Sequence, residues 1–163
     1  MKSHIARLAA LTILGFVGCE ADAADAHVFD QQDGLEVREV FLRQAAAATA
    51  HDLQAFEGVL ATPSAGRPDP VTFVARAYQF WGKPALIDHF KETFKGVWKF
   101  EPDTEQIKVV PLTADVAEIY APTQITVGSS EATAKTSPFL VYEIAIRCPE
   151  GWRIASIVPI AAK

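Results

Sequence analysis

The chain has 163 residues, half of them apolar and 21% charged, which suits one domain with a sizeable core and excludes a disordered chain. A net charge of −5, with no basic run or stripe of arginines and aromatics, argues against nucleic acid as a partner. Two cysteines, Cys19 and Cys148, are too few for a disulfide scaffold.

The N-terminus reads as a leader. Lys2 and Arg7 precede an apolar stretch from Leu8 to Gly18, too short to cross a bilayer but the right length for the core of a signal peptide. "ADA" follows twice, at 21–23 and 24–26, so residues 1–26 are expected to be removed and 27–163 to form the domain, with its folded core over about 35–160. The destination is then the periplasm or the exterior. "GFVGC" offers an alternative, a lipobox that would lipidate Cys19 and make the protein a membrane-anchored lipoprotein. Contact with a membrane is expected only in that case.

Asp33-Gly34-Leu35-Glu36 reads as a capping box with Asp33 as the helix N-cap, followed by Val37, Val40, Phe41, Ala45 and Ala48 at helical spacing. Asp52 stands where the N-cap of a second helix belongs, with His51 in the turn and Leu53, Phe56 and Leu60 as the apolar stripe. "TPSAGRPDP" (62–70) is a loop, because its prolines cannot continue a helix. "VTFVARAYQFW" (71–81) suits a strand by its β-branched and aromatic content, although Phe73, Ala77 and Phe80 also fit a helix. Pro84 then opens a third helix, which Gly96 can end. Beyond it come extended runs divided by turns: "VWKF", "QIKVVPL", "VAEIYAPTQITV", "FLVYEIAIR" and "WRIASIVPI". Helices first and antiparallel strands second is the order of an α+β domain.

Few residues suggest chemistry. Asp88 and His89 are neighbours, yet a helix turns about 100° per residue, so they cannot face one another as a dyad. Asp88 points to water, where Lys91 is a surface partner; His89 falls on the flank, within reach of a pocket rim as an acid or base. The spacings HxH, HExxH and CxxC are absent, and so are glycine-rich phosphate loops and the GxSxG elbow; neither a metal nor a cofactor is expected. Aromatics remain: Tyr78, Trp81, Tyr120, Tyr142 and Trp152 lie on expected strands or their ends and are the candidate lining of a site for a small apolar molecule. Leu140, Tyr142, Ile144 and Ile146 alternate as the expected buried set of their strand, with Tyr142 either in the core or donating a hydrogen bond in a pocket.

The order "AHDLQAFEGVLA", "FWGKPALIDHFKETF" and strands ending in "EGWRIASI" resembles the SnoaL-like branch of the nuclear transport factor 2-like superfamily, over roughly 35–160. The resemblance implies a cone-shaped α+β fold, three N-terminal helices packed on a strongly curved antiparallel sheet. It also implies an apolar pocket at the wide end and a homodimer formed through the outer face of the sheet. Relatives include isomerases, dehydratases and cyclases, so a cofactor-free enzyme is one alternative to a ligand-binding module, with His89 as base and Tyr142 or Tyr78 orienting a carbonyl. A dimerisation or accessory domain is the other. Where many relatives carry a polar cluster after Trp152-Arg153-Ile154, this chain continues Ala155-Ser156-Ile157-Val158.

Overall fold

The computed structural model describes residues 27–163 except Ala77; the expected leader and Cys19 lie outside the described residues. Three helices, α1 (Gln31–Thr49), α2 (Leu53–Val59) and α3 (Lys83–Thr93), pack against one curved sheet. Its strands are β1 (Thr72–Ala75), β2 (Tyr78–Trp81), β3 (Val97–Pro102), β4 (Lys108–Thr113), β5 (Val116–Gly128), β6 (Lys135–Cys148) and β7 (Gly151–Ala161). They lie in the order β2-β1-β7-β6-β5-β3, with β4 beside β3 along the same edge of β5. The α+β class and the three-helix cone follow the expectation. The sheet is antiparallel except where β1 runs parallel to β7, with Thr72 opposite Ser156 and Phe73 opposite Ile157.

Helix α1 begins earlier than its sequence suggests. Asp30 is the N-cap, accepting from the Asp33 amide at 3.0 Å, while Asp33 reaches back to the Asp30 amide at 3.1 Å. Asp33 is therefore the returning arm of the box, three residues into the helix, and not the cap. Val37, Val40, Phe41, Ala45 and Ala48 are buried, as their spacing predicts. Gln44 is buried on the same stripe. At the C-terminal end, Thr49 Oγ1 donates to the Phe100 carbonyl and accepts from the Phe100 amide, tying α1 to β3.

Residues 71–81 are extended but not one strand. They fold into the hairpin β1–β2, whose turn places Arg76 at φ +52°. The following helix is capped from outside itself. Gly82, at φ +88°, has no side chain to offer, and the loop residue Asp69 accepts from the Lys83 and Val71 amides at 2.8 and 2.9 Å instead. Leu86 and Phe90 are the buried anchors of α3, and Asp88 is exposed. Among the described residues Asp88 has no ion-pair partner; the pair on this stretch is Lys95 with Glu92. Gly96 follows the helix for a reason other than capping: a Cβ there would come within 2.5 Å of the Gly128 carbonyl oxygen on β5.

Strand β6 is in the opposite phase to its predicted one. Val141, Glu143 and Ala145 are buried under the helices, whereas Leu140, Tyr142, Ile144 and Ile146 face outward, exposed or half-buried. Across the β6–β7 ladder, Ile144 pairs with Ser156 but Ala145 with Ile154, which leaves Ala155 as a bulge. Such a bulge sharpens the bend of the sheet around the helices.

Candidate functional site

The curvature leaves a cavity of about 480 Å³ between α3, the β1–β2 hairpin and the strand ends of β5, β6 and β7. Its wall is largely apolar: Phe73, Trp98, Ile125, Val127, Phe139 and Pro159. A recess of about 20 Å³ shares Phe73, Trp98, Ile125 and Pro159 with it and reaches inward to Gln44, Phe56 and Phe90. The indole N–H of Trp98, whose ring lines both, is buried and unpartnered among the described residues. A buried donor left unpaired in this way is costly.

His89 lines this cavity. Its ring stacks on Phe80 at 4.4 Å between centroids and stands 5.6 Å from Tyr78 and 5.9 Å from Phe73. Partial burial among these aromatics lowers its pKa, so the imidazole is neutral at pH 7. A neutral imidazole in a mostly apolar wall can take a proton. Tyr78 lines the cavity as well.

The other aromatic candidates lie elsewhere. Trp81 projects into solvent from β2, 66% exposed. Tyr120 and Tyr142 sit on the outer face of the sheet, their rings 5.2 Å apart, both hydroxyls donating to Glu118 at 2.9 and 2.8 Å. Burial first, then the Glu118 carboxylate, pushes Tyr142 up to about 12. Tyr142 therefore orients no ligand inside the cone, because strand alternation points it to the opposite side. Trp152 is buried at the far end of β7, donating to Asp33 at 3.3 Å and packed edge-on against Phe29. There Asp33 also accepts from Arg147, and His27 Nε2 lies 2.8 Å from it. Burial raises the Asp33 pKa, but Arg147, the Asp30 amide, Trp152 and His27 outweigh it and hold the carboxyl well below its ordinary range. That cluster joins the start of α1 to β6 and β7 and is structural.

One buried ionisable group escaped the sequence reading. Glu143 is fully buried on the inner face of β6, its Oε1 accepting from Gln44 Nε2 at 3.0 Å. Burial raises its pKa to about 8 against the opposing pull of Gln44, so it is a neutral acid at pH 7. Among the described residues Glu143 Oε2 and Gln44 Oε1 have no partner. Protonation gives the Glu143 carboxyl a donor of its own and removes its buried charge. Gln44 was legible as a polar residue on an apolar stripe; Glu143 was hidden by the misread phase of β6. Among the described residues no group of three or more histidine, cysteine or acidic side chains is arranged to hold a metal ion.

No protein-family profile matches the chain, and no curated protein matches it in sequence. Solved structures do match. A candidate dehydratase of the nuclear transport factor 2-like family from Streptomyces avermitilis superposes with a TM-score of 0.69 at 16% identity, covering 80% of this chain and 97% of that one. A candidate aromatic ring hydroxylase from Novosphingobium aromaticivorans gives 0.70 at 14% identity over 83% and 92% of the two chains. A nuclear transport factor 2-like protein of unknown function from Pseudomonas putida gives 0.64 at 19%, over 82% and 89%. At these identities the likeness is one of fold, and what it establishes is that the chain adopts the nuclear transport factor 2-like fold.

Proposed function

We propose that the protein is an exported, SnoaL-like binding module that takes a small apolar or aromatic molecule into its cone. The cavity of about 480 Å³, walled by Phe73, Trp98, Ile125 and Phe139, carries this reading. Its unpartnered Trp98 N–H favours a ligand with one acceptor atom. The test uses N-phenyl-1-naphthylamine, a neutral probe that brightens in apolar surroundings. Saturable binding is expected, lost when Val127→Trp fills the rim; binding that survives the filling would place the probe elsewhere and defeat the reading. Native mass spectrometry of the exported protein would identify a ligand carried through purification.

His89 supports a second reading, cofactor-free proton transfer. Its imidazole would remove a proton from carbon next to a carbonyl and return one to the same carbon, with Tyr78 beside it. Exchange of the α-protons of 2-tetralone in heavy water, followed by NMR, tests this. Acceleration by the protein that disappears in His89→Gln is the expected result, and no acceleration ends the idea.

Export and pairing complete the proposal. A leader ending at Ala26 predicts a mature chain starting at His27, whereas processing at the lipobox predicts a lipidated Cys19; intact mass distinguishes them. Tyr142, Leu140, Ile144 and Ile160 on the outer face of the sheet support a homodimer through that face. Leu140→Glu is expected to convert it to a monomer by light scattering.

A further inference from the structure

We infer that the cavity selects an anion: an aromatic or otherwise apolar acid whose body lies against Phe73, Trp98 and Phe139 and whose charged end is held at the mouth by Arg76 and Lys135. This rests on the binding reading above and names its ligand class. The chain carries 20 acidic residues against 15 basic ones, yet among the described residues no Asp or Glu lines this cavity, while Arg76 and Lys135 both do. The local charge is thus opposite in sign to that of the whole molecule, and it lies at a large concave surface with an aromatic wall. Charged groups of one sign around such an opening focus the field and draw in the opposite charge.

Both cations are uncommitted. Arg147 and Lys95 pair with carboxylates, and Lys83 and Arg38 donate to backbone carbonyls. Among the described residues, Arg76 and Lys135 have no ion pair and no side-chain hydrogen bond. They come from different elements, Arg76 from the β1–β2 turn and Lys135 from the start of β6, and Ser137 adds a hydroxyl two residues along.

Backbone geometry gives independent support. Arg76 sits at φ +52°, a conformation glycine adopts freely and a residue with a Cβ adopts only at a cost; His51, at φ +55° in the turn after α1, is the other such residue among those described. A bulky arginine in a two-residue turn is unfavourable for the hairpin itself, and observed strain of this kind is a pointer to function. Glycine would suit the turn but would remove the guanidinium from the mouth.

The test compares two probes on one aromatic skeleton, the anion 8-anilinonaphthalene-1-sulfonate and neutral N-phenyl-1-naphthylamine. In low salt the sulfonate is expected to bind about tenfold more tightly, with the preference shrinking as sodium chloride is added. Arg76→Gly combined with Lys135→Gln should bring the ratio of affinities close to one. Glycine suits the positive φ, so the turn keeps its geometry, and a circular-dichroism melt checks that the variant folds. A ratio near one in the wild type, or a preference unchanged in the double variant, overturns the anion assignment and leaves the cavity reading standing. Failure of both probes to bind overturns both.

Discussion

Asp33 shows how one carboxylate can serve several elements. It closes the capping box of α1, accepts from Arg147 on β6 and receives the indole N–H of Trp152 on β7. Its folded pKa lies below the unfolded value near 3.8, so the native state binds fewer protons in acid than the unfolded chain does. The stability it contributes is complete above about pH 4 and is lost as pH falls toward the folded value. Asp33→Asn keeps the shape but removes the charge. We expect it to cost about 2 kcal/mol at pH 7 by urea denaturation. That deficit should narrow below pH 4, since the wild type loses the same interaction there. A deficit independent of pH would show that shape, not charge, is what matters at this position.

At the scale of the element, helix α3 depends on a residue outside itself. Asp69→Ala removes the carboxylate that caps Lys83 and holds Val71, and is expected to cost about 1 to 2 kcal/mol in a thermal or denaturant melt. Because α3 carries His89, the same change should weaken probe binding in the cavity. Gly128 makes a different demand: a Cβ there would lie 2.5 Å from Ala134 Cα, so Gly128→Ala forces backbone apart at the β5–β6 turn and should cost about 1 to 3 kcal/mol. Helix α1 was legible because Val37, Val40, Phe41, Ala45 and Ala48 repeat with the helical period, and the five late strands because turn residues punctuate them. The phase of β6 was not. Between Phe139 and Ile146 both of its faces are apolar apart from Glu143 and the Tyr142 hydroxyl, so alternation pointed the larger side chains inward, whereas the inner face takes Val141 and Ala145. That one inversion misplaced Tyr142 and concealed Glu143. The cavity was equally hard to see, since Phe73, Trp98, Ile125 and Pro159 come from four strands and carry no common spacing.

For the whole molecule, three groups, Asp33, His89 and Glu143, pull the response of stability to pH in different directions. Asp33 acts only in acid. His89 has a folded pKa below its ordinary 6.5, so it contributes stability that is present above that value and lost as pH falls through the lowered one. Glu143 does the reverse: its folded pKa near 8 exceeds the unfolded 4.5, so its contribution is complete below pH 4.5 and disappears as pH rises through 8. Between pH 6.5 and 8, Glu143 is the one of the three still titrating between the two states. One proton bound only by the native state gives a slope of up to about 1.4 kcal/mol per pH unit, hence a loss approaching 2 kcal/mol across that window. Glu143→Gln replaces the acid with an amide of similar shape that can still meet Gln44. It should flatten the profile above pH 6.5 and leave the variant more stable than the wild type at pH 8. Melts at half-unit pH steps decide it. Parallel profiles would mean that Glu143 ionises in the fold near its ordinary pKa, which its complete burial beside a single amide gives no means of accommodating.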